Sequence, residues 1–250
     1  ALNSILVFTL GDATLQVAAL AFAGAMVYFA SGRRLPALRA FLSPFRDHDF
    51  FWVFFTRFLT TLGIYSILPF IAFYFRDVIG APNFAAASAL WLLAVIGSAV
   101  VPSIVCGYLS DRWGRRKIFV YVSSGLQALV VSVLLFGLIR SLAVMYVLGI
   151  LYGIGYGAYY AVDWALACDV LPDRDSAAGK DMGLWHTSFT LPQVAAPAVL
   201  AMVLVYLNRP DHMVLGLTTG SNLGYRALFA CAALFSILGT VMVSQIRAVR

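Results

Sequence analysis

Residues 107–117 read Gly-Tyr-Leu-Ser-Asp-Arg-Trp-Gly-Arg-Arg-Lys, a short charged turn between two apolar stretches that are each long enough to cross a bilayer. Short basic loops resist translocation across a membrane and orient the spans that flank them. We therefore expect this turn to lie on the cytoplasmic side. Counting spans from it in both directions along the chain then gives the side of the membrane on which each other loop lies.

The composition is that of an integral membrane protein. Hydrophobic residues make up 62% of the 250 residues and charged residues 11%, with a mean hydropathy of +0.90. A soluble protein of this length needs a more charged surface, whereas a bilayer requires only that backbone polar groups be satisfied internally. The apolar runs exceed the length of transmembrane strands, so we predict an all-α fold. In a membrane protein, the formal charge of +6 is better explained by basic loops that orient the spans than by binding of nucleic acid. We therefore expect no nucleic-acid partner.

Seven apolar runs approach or exceed the roughly 20 residues that cross the hydrocarbon core. They cover about 13–30, 50–75, 84–109, 118–139, 142–167, 183–206 and 226–246. With the basic turn inside, twelve Lys and Arg residues fall on the cytoplasmic side and four fall outside: Arg76, Arg140, Arg209 and Arg226. This asymmetry follows the positive-inside rule and places the C-terminus in the cytoplasm.

The segment between the first two spans joins two parts of the chain. Within it, residues 35–42 mix apolar and basic side chains, which is typical of a short helix lying on the cytoplasmic membrane face. The chain starts at Ala1 without a basic leader or a cleavage pattern, and we expect it to be cut from a longer protein.

The basic turn carries a family signature. The match to the pattern G-x-x-x-D-R-x-G-R-R is made by Gly107, Asp111, Arg112, Gly114, Arg115 and Arg116. The chain thereby resembles the major facilitator superfamily, in which such turns join the second and third helices of each six-helix half. Four spans follow the turn, as they follow only the second copy in the twelve-helix plan, so the chain resembles helices six to twelve.

This resemblance implies a domain organisation and a partner. Residues 1–30 would be the last helix of the N-terminal half, 31–49 a cytoplasmic linker, and 50–250 the C-terminal six-helix bundle. The N-terminal half of the same transporter is then the expected partner, together with the lipid bilayer.

The resemblance also implies that the turn is a conformational latch, which favours the outward-facing state and breaks as the two halves rock. The glycines permit close approach and turning, and the arginines can form a charge network with Asp111. We expect the partner of this latch to lie in the N-terminal half. Plain positive-inside topology is the alternative explanation for these charges.

A second stretch suggests the solute. Residues 161–166, 169–172, 179–185 and 191–193 are similar to a sugar-cation symporter branch that includes glycoside, pentoside, hexuronide and sucrose carriers. The resemblance implies a sugar as solute and a proton or other cation as coupling ion.

Two charged residues lie inside predicted spans. Arg57 stands about seven residues into the second span and Asp163 about six from the cytoplasmic end of the fifth. At about 1.5 Å of rise per residue they lie at similar depth, and intramembrane charges usually face a cavity and pair there. We therefore predict an Arg57–Asp163 pair. Alternatively, either side chain snorkels to the near interface and serves only topology.

A shielded Asp163 would be the natural proton carrier of this site. Burial and the neighbouring Arg57 act on the protonation of its carboxyl group in opposite senses. Binding of the solute, or the rocking motion of the two halves, would then decide whether Asp163 is protonated.

Two stripes of residues spaced four apart run along the fifth span. One stripe is small, with Gly149, Gly153 and Gly157, and the other is aromatic, with Tyr152, Tyr156 and Tyr160. The small stripe allows a neighbouring helix to approach closely. The tyrosines, with Asp163 beyond them, suit the apolar faces and hydroxyl groups of a sugar. The alternative is that these tyrosines only fill grooves between helices.

The first half of the sixth span is unusually polar and supplies two more candidates, His186 and Gln193. His186 is a candidate proton relay, although an interfacial, hydrogen-bonded histidine is the simpler interpretation. Thr61 and Tyr65, one and two turns beyond Arg57, are weaker candidates for the same cavity.

These features favour secondary active transport of a small polar solute, which we expect to be a sugar moved with protons by alternating access across the plasma membrane. The sequence contains no phosphate-binding glycine loop, zinc-ligand spacing or nucleophile elbow, so we expect no enzyme activity, metal or cofactor. A membrane sensor or scaffold that does not transport is the alternative. A seven-span receptor is a third candidate, but it leaves the charged turn unexplained.

Overall fold

The computed structural model describes residues 39, 41–137, 139–172, 177–208, 213–214, 217–218 and 222–247. The chain divides into two units, Ala1–Arg46 and Asp47–Arg250. In the first unit the described residues include a short 3-10 helix, Ser43–Arg46. The predicted first span at 13–30 and most of the predicted interfacial helix lie outside the described residues.

The described part of the second unit consists of helices, the turns that join them and two short strands. Its α-helices are α1 (His48–Tyr65), α2 (Ile71–Tyr74), α3 (Phe84–Trp113), α4 (Arg116–Gly137), α5 (Leu142–Asp169), α6 (Ala178–Leu207) and α7 (Leu223–Met242). Strands β1 (Met213–Val214) and β2 (Leu217–Thr218) pair antiparallel between α6 and α7. Among the described residues, six helical segments are long and apolar enough to cross a membrane, and the all-α prediction is confirmed.

The apolar surface of this unit is what a lipid environment requires. Along α3, the large side chains of Leu93, Val101 and Ile104 are 64%, 66% and 68% exposed. A continuous apolar face of this kind is rare on a soluble monomer, because water penalises it. In a bilayer the same face contacts hydrocarbon at no such cost.

The first long segment, His48–Ile79, is interrupted near its middle. Asp47 caps α1, since its carboxylate accepts hydrogen bonds from the backbone N–H groups of Asp49 and Phe50 at 3.0 and 2.9 Å. After Tyr65 the chain passes through a 3-10 turn, Leu68–Phe70, that contains Pro69, which lacks the N–H needed to continue the helix. Helix α2 and a π-helical turn, Phe75–Ile79, complete the span.

The glycine stripe of α5 packs against α3, as the small-residue spacing predicts. A Cβ added at Gly149 would lie 2.6 Å from the indole nitrogen of Trp91, and one at Gly157 would overlap the backbone carbonyl of Ala99. Only glycine therefore allows the two helix backbones to approach this closely. Helix α5 also packs on α4, while α1 packs on α6 and α7.

Residues 107–113 of the charged turn form the C-terminal end of α3, and the chain reverses at Gly114. Gly114 has a left-handed backbone conformation, with φ of +61°, and its N–H donates to the carbonyl of Ser110 at 3.0 Å. Glycine adopts this conformation without the steric cost that other residues incur, so the chain turns at once into α4. The glycine of the signature thus explains the tightness of the turn.

Candidate functional site

A buried ion pair joins α1 and α5. The Nη1 atom of Arg57 donates to Oδ2 of Asp163, and the two residues are 1% and 2% exposed. The hydroxyl group of Tyr159 donates to the other carboxylate oxygen, Oδ1, at 3.2 Å. The structure therefore forms the contact that the depth argument predicts, and both oxygen atoms of Asp163 have a partner.

Four aromatic rings surround the guanidinium group of Arg57 and are here called the aromatic cage. The guanidinium carbon lies 3.9 Å from the ring centre of Trp185, 5.3 Å from Phe189, 5.6 Å from Trp164 and 5.7 Å from Tyr160. The faces of aromatic rings attract cations, and the attraction is strongest where water is excluded. The cage thus replaces part of the hydration that Arg57 loses on burial.

The cage forms because of helical spacing on two neighbouring helices. Tyr160 and Trp164 are four residues apart on α5, and Trp185 and Phe189 are four apart on α6. Residues at this spacing lie one above the other on the same helix face. The two pairs contact each other, since the rings of Trp164 and Trp185 are 5.0 Å apart and nearly perpendicular.

The site retains several hydrogen-bond donors without a partner. Among the described residues, no acceptor pairs with Nε or Nη2 of Arg57, or with the indole nitrogen Nε1 of Trp164 or Trp185. Arg57 and Trp185 are almost wholly buried, whereas Trp164 is half-buried. Buried donors of this kind normally have a partner, because an unpaired one costs about 1–3 kcal/mol. The arrangement is thus suited to a ligand that supplies hydrogen-bond acceptors.

Other predicted candidates border this group. The ring of Tyr156 stacks on that of Tyr160 at 5.8 Å. The amide Nε2 of Gln193 donates to the hydroxyl oxygen of Tyr65 at 2.8 Å, which links α6 to α1. His186 is exposed, and its ring lies 6.2 Å from that of Trp164 at the edge of the cage. The roles proposed for these residues stay predictions.

Two further candidates lie apart from the pair. Tyr152 packs in the apolar core and lines an apolar cavity of about 10 Å³ together with Trp91 and Met145. That volume has room for about one water molecule and not for a sugar. Thr61 is buried one turn beyond Arg57, and in the part of the chain that the structure describes it makes no hydrogen bond to the pair. A solute contact at either residue stays a prediction.

The charged turn has its own ion pairs at one end of the bundle. Arg116 donates from Nη2 to Oδ1 of Asp111 at 3.0 Å, and its Nη1 lies 2.8 Å from Oδ2 of Asp169 at the end of α5. Lys117 donates to the backbone carbonyl of Ile246, which follows α7. Asp169 is thus a partner of Arg116 inside this bundle, whereas the family resemblance predicts a latch partner in the N-terminal half.

The remaining signature residues are on the surface or in loose contact. Arg112 and Arg115 are exposed, and Nη1 of Arg112 lies 3.4 Å from the hydroxyl oxygen of Tyr108. A Cβ added at Gly107 would lie 3.7 Å from that of Ala161, which is an ordinary contact. The close helix approach that the signature implies at Gly107 therefore does not require glycine there.

Sequence reasoning missed the cage residues Trp164, Trp185 and Phe189, as well as Tyr159. The available signal was the spacing of four between aromatic residues on two predicted spans that also hold Asp163 and polar side chains. Ionisable residues inside a bilayer need partners, so aromatic pairs on the same spans were candidates for cation contacts.

A comparison with protein families gives a match to the model described as Major Facilitator Superfamily, over residues 13–197. The matched range contains the Arg57–Asp163 pair, the aromatic cage and the charged turn. No curated protein matches the chain.

Proposed function

The chain belongs to the major facilitator superfamily, whose model matches residues 13–197, and from this premise we propose that it is the C-terminal part of a proton-coupled sugar transporter. Members of the superfamily are multi-pass membrane transporters and not enzymes, so transport of a small solute is the general function. The sugar, the coupling ion and the position of the chain within a longer transporter are the specific parts of the proposal.

The observation that carries the proposal is the Arg57–Asp163 pair inside the aromatic cage. Charged residues within a membrane span are costly and usually mark the path of a substrate or ion. Here the charges lie between α1, α5 and α6, beside rings that offer apolar faces to the C–H groups of a sugar. The unpaired N–H donors of Arg57, Trp164 and Trp185 at the same place suit the oxygen atoms of a sugar.

Alternating access supplies the mechanism that we propose. The bundle of residues 50–250 would rock against an N-terminal half, with the pair near the interface between them. Residues 1–30 and 31–49 would form the preceding helix and the linker. The Arg116 ion pairs would hold the charged turn in one of the two states and release it in the other.

Proton coupling is assigned to Asp163. A carboxyl group that is 2% exposed and paired with a single cation can exchange that partner for a proton when the pair is disturbed. Solute bound at the unpaired donors of Arg57 would disturb its ion pair with Asp163 and so link proton binding to solute binding. The positive-inside asymmetry supports a cytoplasmic C-terminus, and we propose the plasma membrane as the location.

Uptake into vesicles that contain the full-length protein tests this function. Radiolabelled D-glucose, D-galactose, D-xylose and sucrose are supplied with an imposed proton gradient, with and without an uncoupler. We expect one of these sugars to accumulate above its equilibrium level and the uncoupler to abolish that accumulation. Vesicles that take up none of the sugars, under either condition, would contradict the sugar assignment.

A further inference from the structure

We propose that the solute presents two adjacent hydroxyl oxygens to the free edge of Arg57, and that the site selects an uncharged vicinal diol over a carboxylate. This inference rests on the proposed transport function and specifies the chemistry that the site recognises. It is carried by the geometry of the guanidinium group and by the charge balance around it.

The free edge of Arg57 is defined by which of its nitrogen atoms are used. Nη1 donates a hydrogen bond to Asp163, while Nε and Nη2 have no acceptor among the described residues. In a planar guanidinium, the Nε–H and one Nη2–H bond point the same way from one edge, as a fixed fork for two oxygen atoms. Adjacent oxygens on one ligand, whether a vicinal diol or a carboxylate, match that fork.

The charge balance decides between these two ligand groups. Arg57 is already neutralised by Asp163, and Tyr159 occupies the second oxygen of that carboxylate. A carboxylate on the solute would add an unbalanced negative charge to a site that is almost fully buried, which is costly. Two hydroxyl oxygens satisfy the same donors without adding charge.

The protein groups around this fork suit a ligand with a polyhydroxylated ring. The indole N–H groups of Trp164 and Trp185 are two further donors without a described partner. Tyr160 and Phe189 are partly exposed beside Arg57, so their faces are available to apolar C–H groups. A ligand with several oxygens along its edge and apolar faces uses all of these features.

Competition measurements on the full-length protein test the inference. The probes are D-glucose and D-galactose, their 2-deoxy and 3-deoxy forms, D-glucuronate and D-galacturonate, each competing with uptake of the best labelled hexose. The proteins are the wild type, Arg57→Lys, which keeps the charge but loses the fork, and Arg76→Lys. Arg76 lies at the far end of the same span and is exposed, so it serves as a matched control.

In the wild type we expect loss of one hydroxyl of the recognised diol to weaken binding roughly tenfold or more, as for a hydrogen bond to a charged donor. The corresponding uronate should also bind more weakly than the hexose. In Arg57→Lys the hexose and its deoxy form should bind almost equally, while Arg76→Lys keeps the wild-type discrimination. Because the deoxy comparison uses the wild type, the test stands even if Arg57→Lys does not fold.

Three results would overturn the inference and leave transport intact. The first is a uronate that binds more tightly than its hexose, which assigns the fork to a carboxylate. The second is a deoxyhexose penalty that is the same in Arg57→Lys as in the wild type. The third is uptake of some other solute with which none of these compounds competes. Vesicles that take up no solute at all would contradict the proposed function itself.

Discussion

The guanidinium carbon of Arg57 lies 3.9 Å from the ring centre of Trp185, an indole that is fully buried. A cation held on an aromatic face in the absence of water is attracted by about 2 kcal/mol or more. Trp185 is therefore expected to stabilise the charge on α1 as well as to fill the space between α1, α5 and α6.

Substitution of Trp185 separates these two contributions. Trp185→Ala should lower the free energy of unfolding by about 3–5 kcal/mol, since it removes a large buried ring. Trp185→Phe keeps an aromatic face and should lose only about 1–2 kcal/mol. Unfolding of the purified protein in mild detergent measures both, with the exposed Trp113→Ala as control. Equal losses for the Phe and Ala variants would show that an aromatic ring of the size of phenylalanine contributes nothing at this position.

The buried pair predicts a strongly non-additive stability effect. Arg57→Leu and Asp163→Leu should each destabilise the protein by about 3–5 kcal/mol, because each leaves an uncompensated buried charge. The double variant should be more stable than either single variant, since it leaves no charge to bury. The same detergent unfolding assay measures all three. Strictly additive losses would mean that the two side chains do not interact in the folded protein.

The α3–α5 interface offers a matched pair of glycine substitutions. At Gly157 an added methyl group overlaps the carbonyl of Ala99, whereas at Gly107 it lies 3.7 Å from Ala161. Gly157→Ala should therefore cost about 1–3 kcal/mol of stability through overpacking. Gly107→Ala should be neutral or slightly stabilising, because alanine is the better helix former. The shift in the melting temperature measures both, and a reversed order would contradict the observed packing.

The ion pairs of the charged turn should respond to charge exchange. Arg116→Asp and Asp169→Arg each bring like charges together and should slow uptake several-fold. The combined variant restores the contact with α5 but sets a second carboxylate beside Asp111, so it should recover only part of the rate. Because these side chains are partly exposed, the stability changes should stay near about 1 kcal/mol. Initial uptake rates per molecule of protein in the membrane test this, and a combined variant slower than both single variants would argue against the contact.

The fold and the Arg57–Asp163 contact could be predicted from the sequence, but the residues that surround this pair could not. Two opposite charges at the same depth in hydrocarbon have few other partners, so depth alone predicts the pair. The rotation of each helix about its own axis is not encoded in span boundaries, so the cage of Trp185 and its neighbours was not foreseen. Asp169 was missed for the same reason, since its depth does not indicate that Arg116 lies beside it.

The spacing of small residues was informative only in part. It predicted that the stripe through Gly153 would permit close packing, which the structure shows against Val95 of α3. The identity of the opposing helix depends on tertiary packing and was not predictable from spacing. Tyr152 shares the tyrosine stripe, yet it faces the apolar core, because the stripe runs from the core to the cage along α5.

The most direct test of the account is proton-driven accumulation by Asp163→Asn in vesicles that contain the full-length protein, measured beside counterflow exchange of the same labelled sugar. Asp47→Asn is the matched control, since asparagine caps a helix as well as aspartate does. We predict that Asp163→Asn loses accumulation above equilibrium and retains counterflow, while Asp47→Asn keeps both. Accumulation by Asp163→Asn at the wild-type level would contradict the role of the buried pair in coupling.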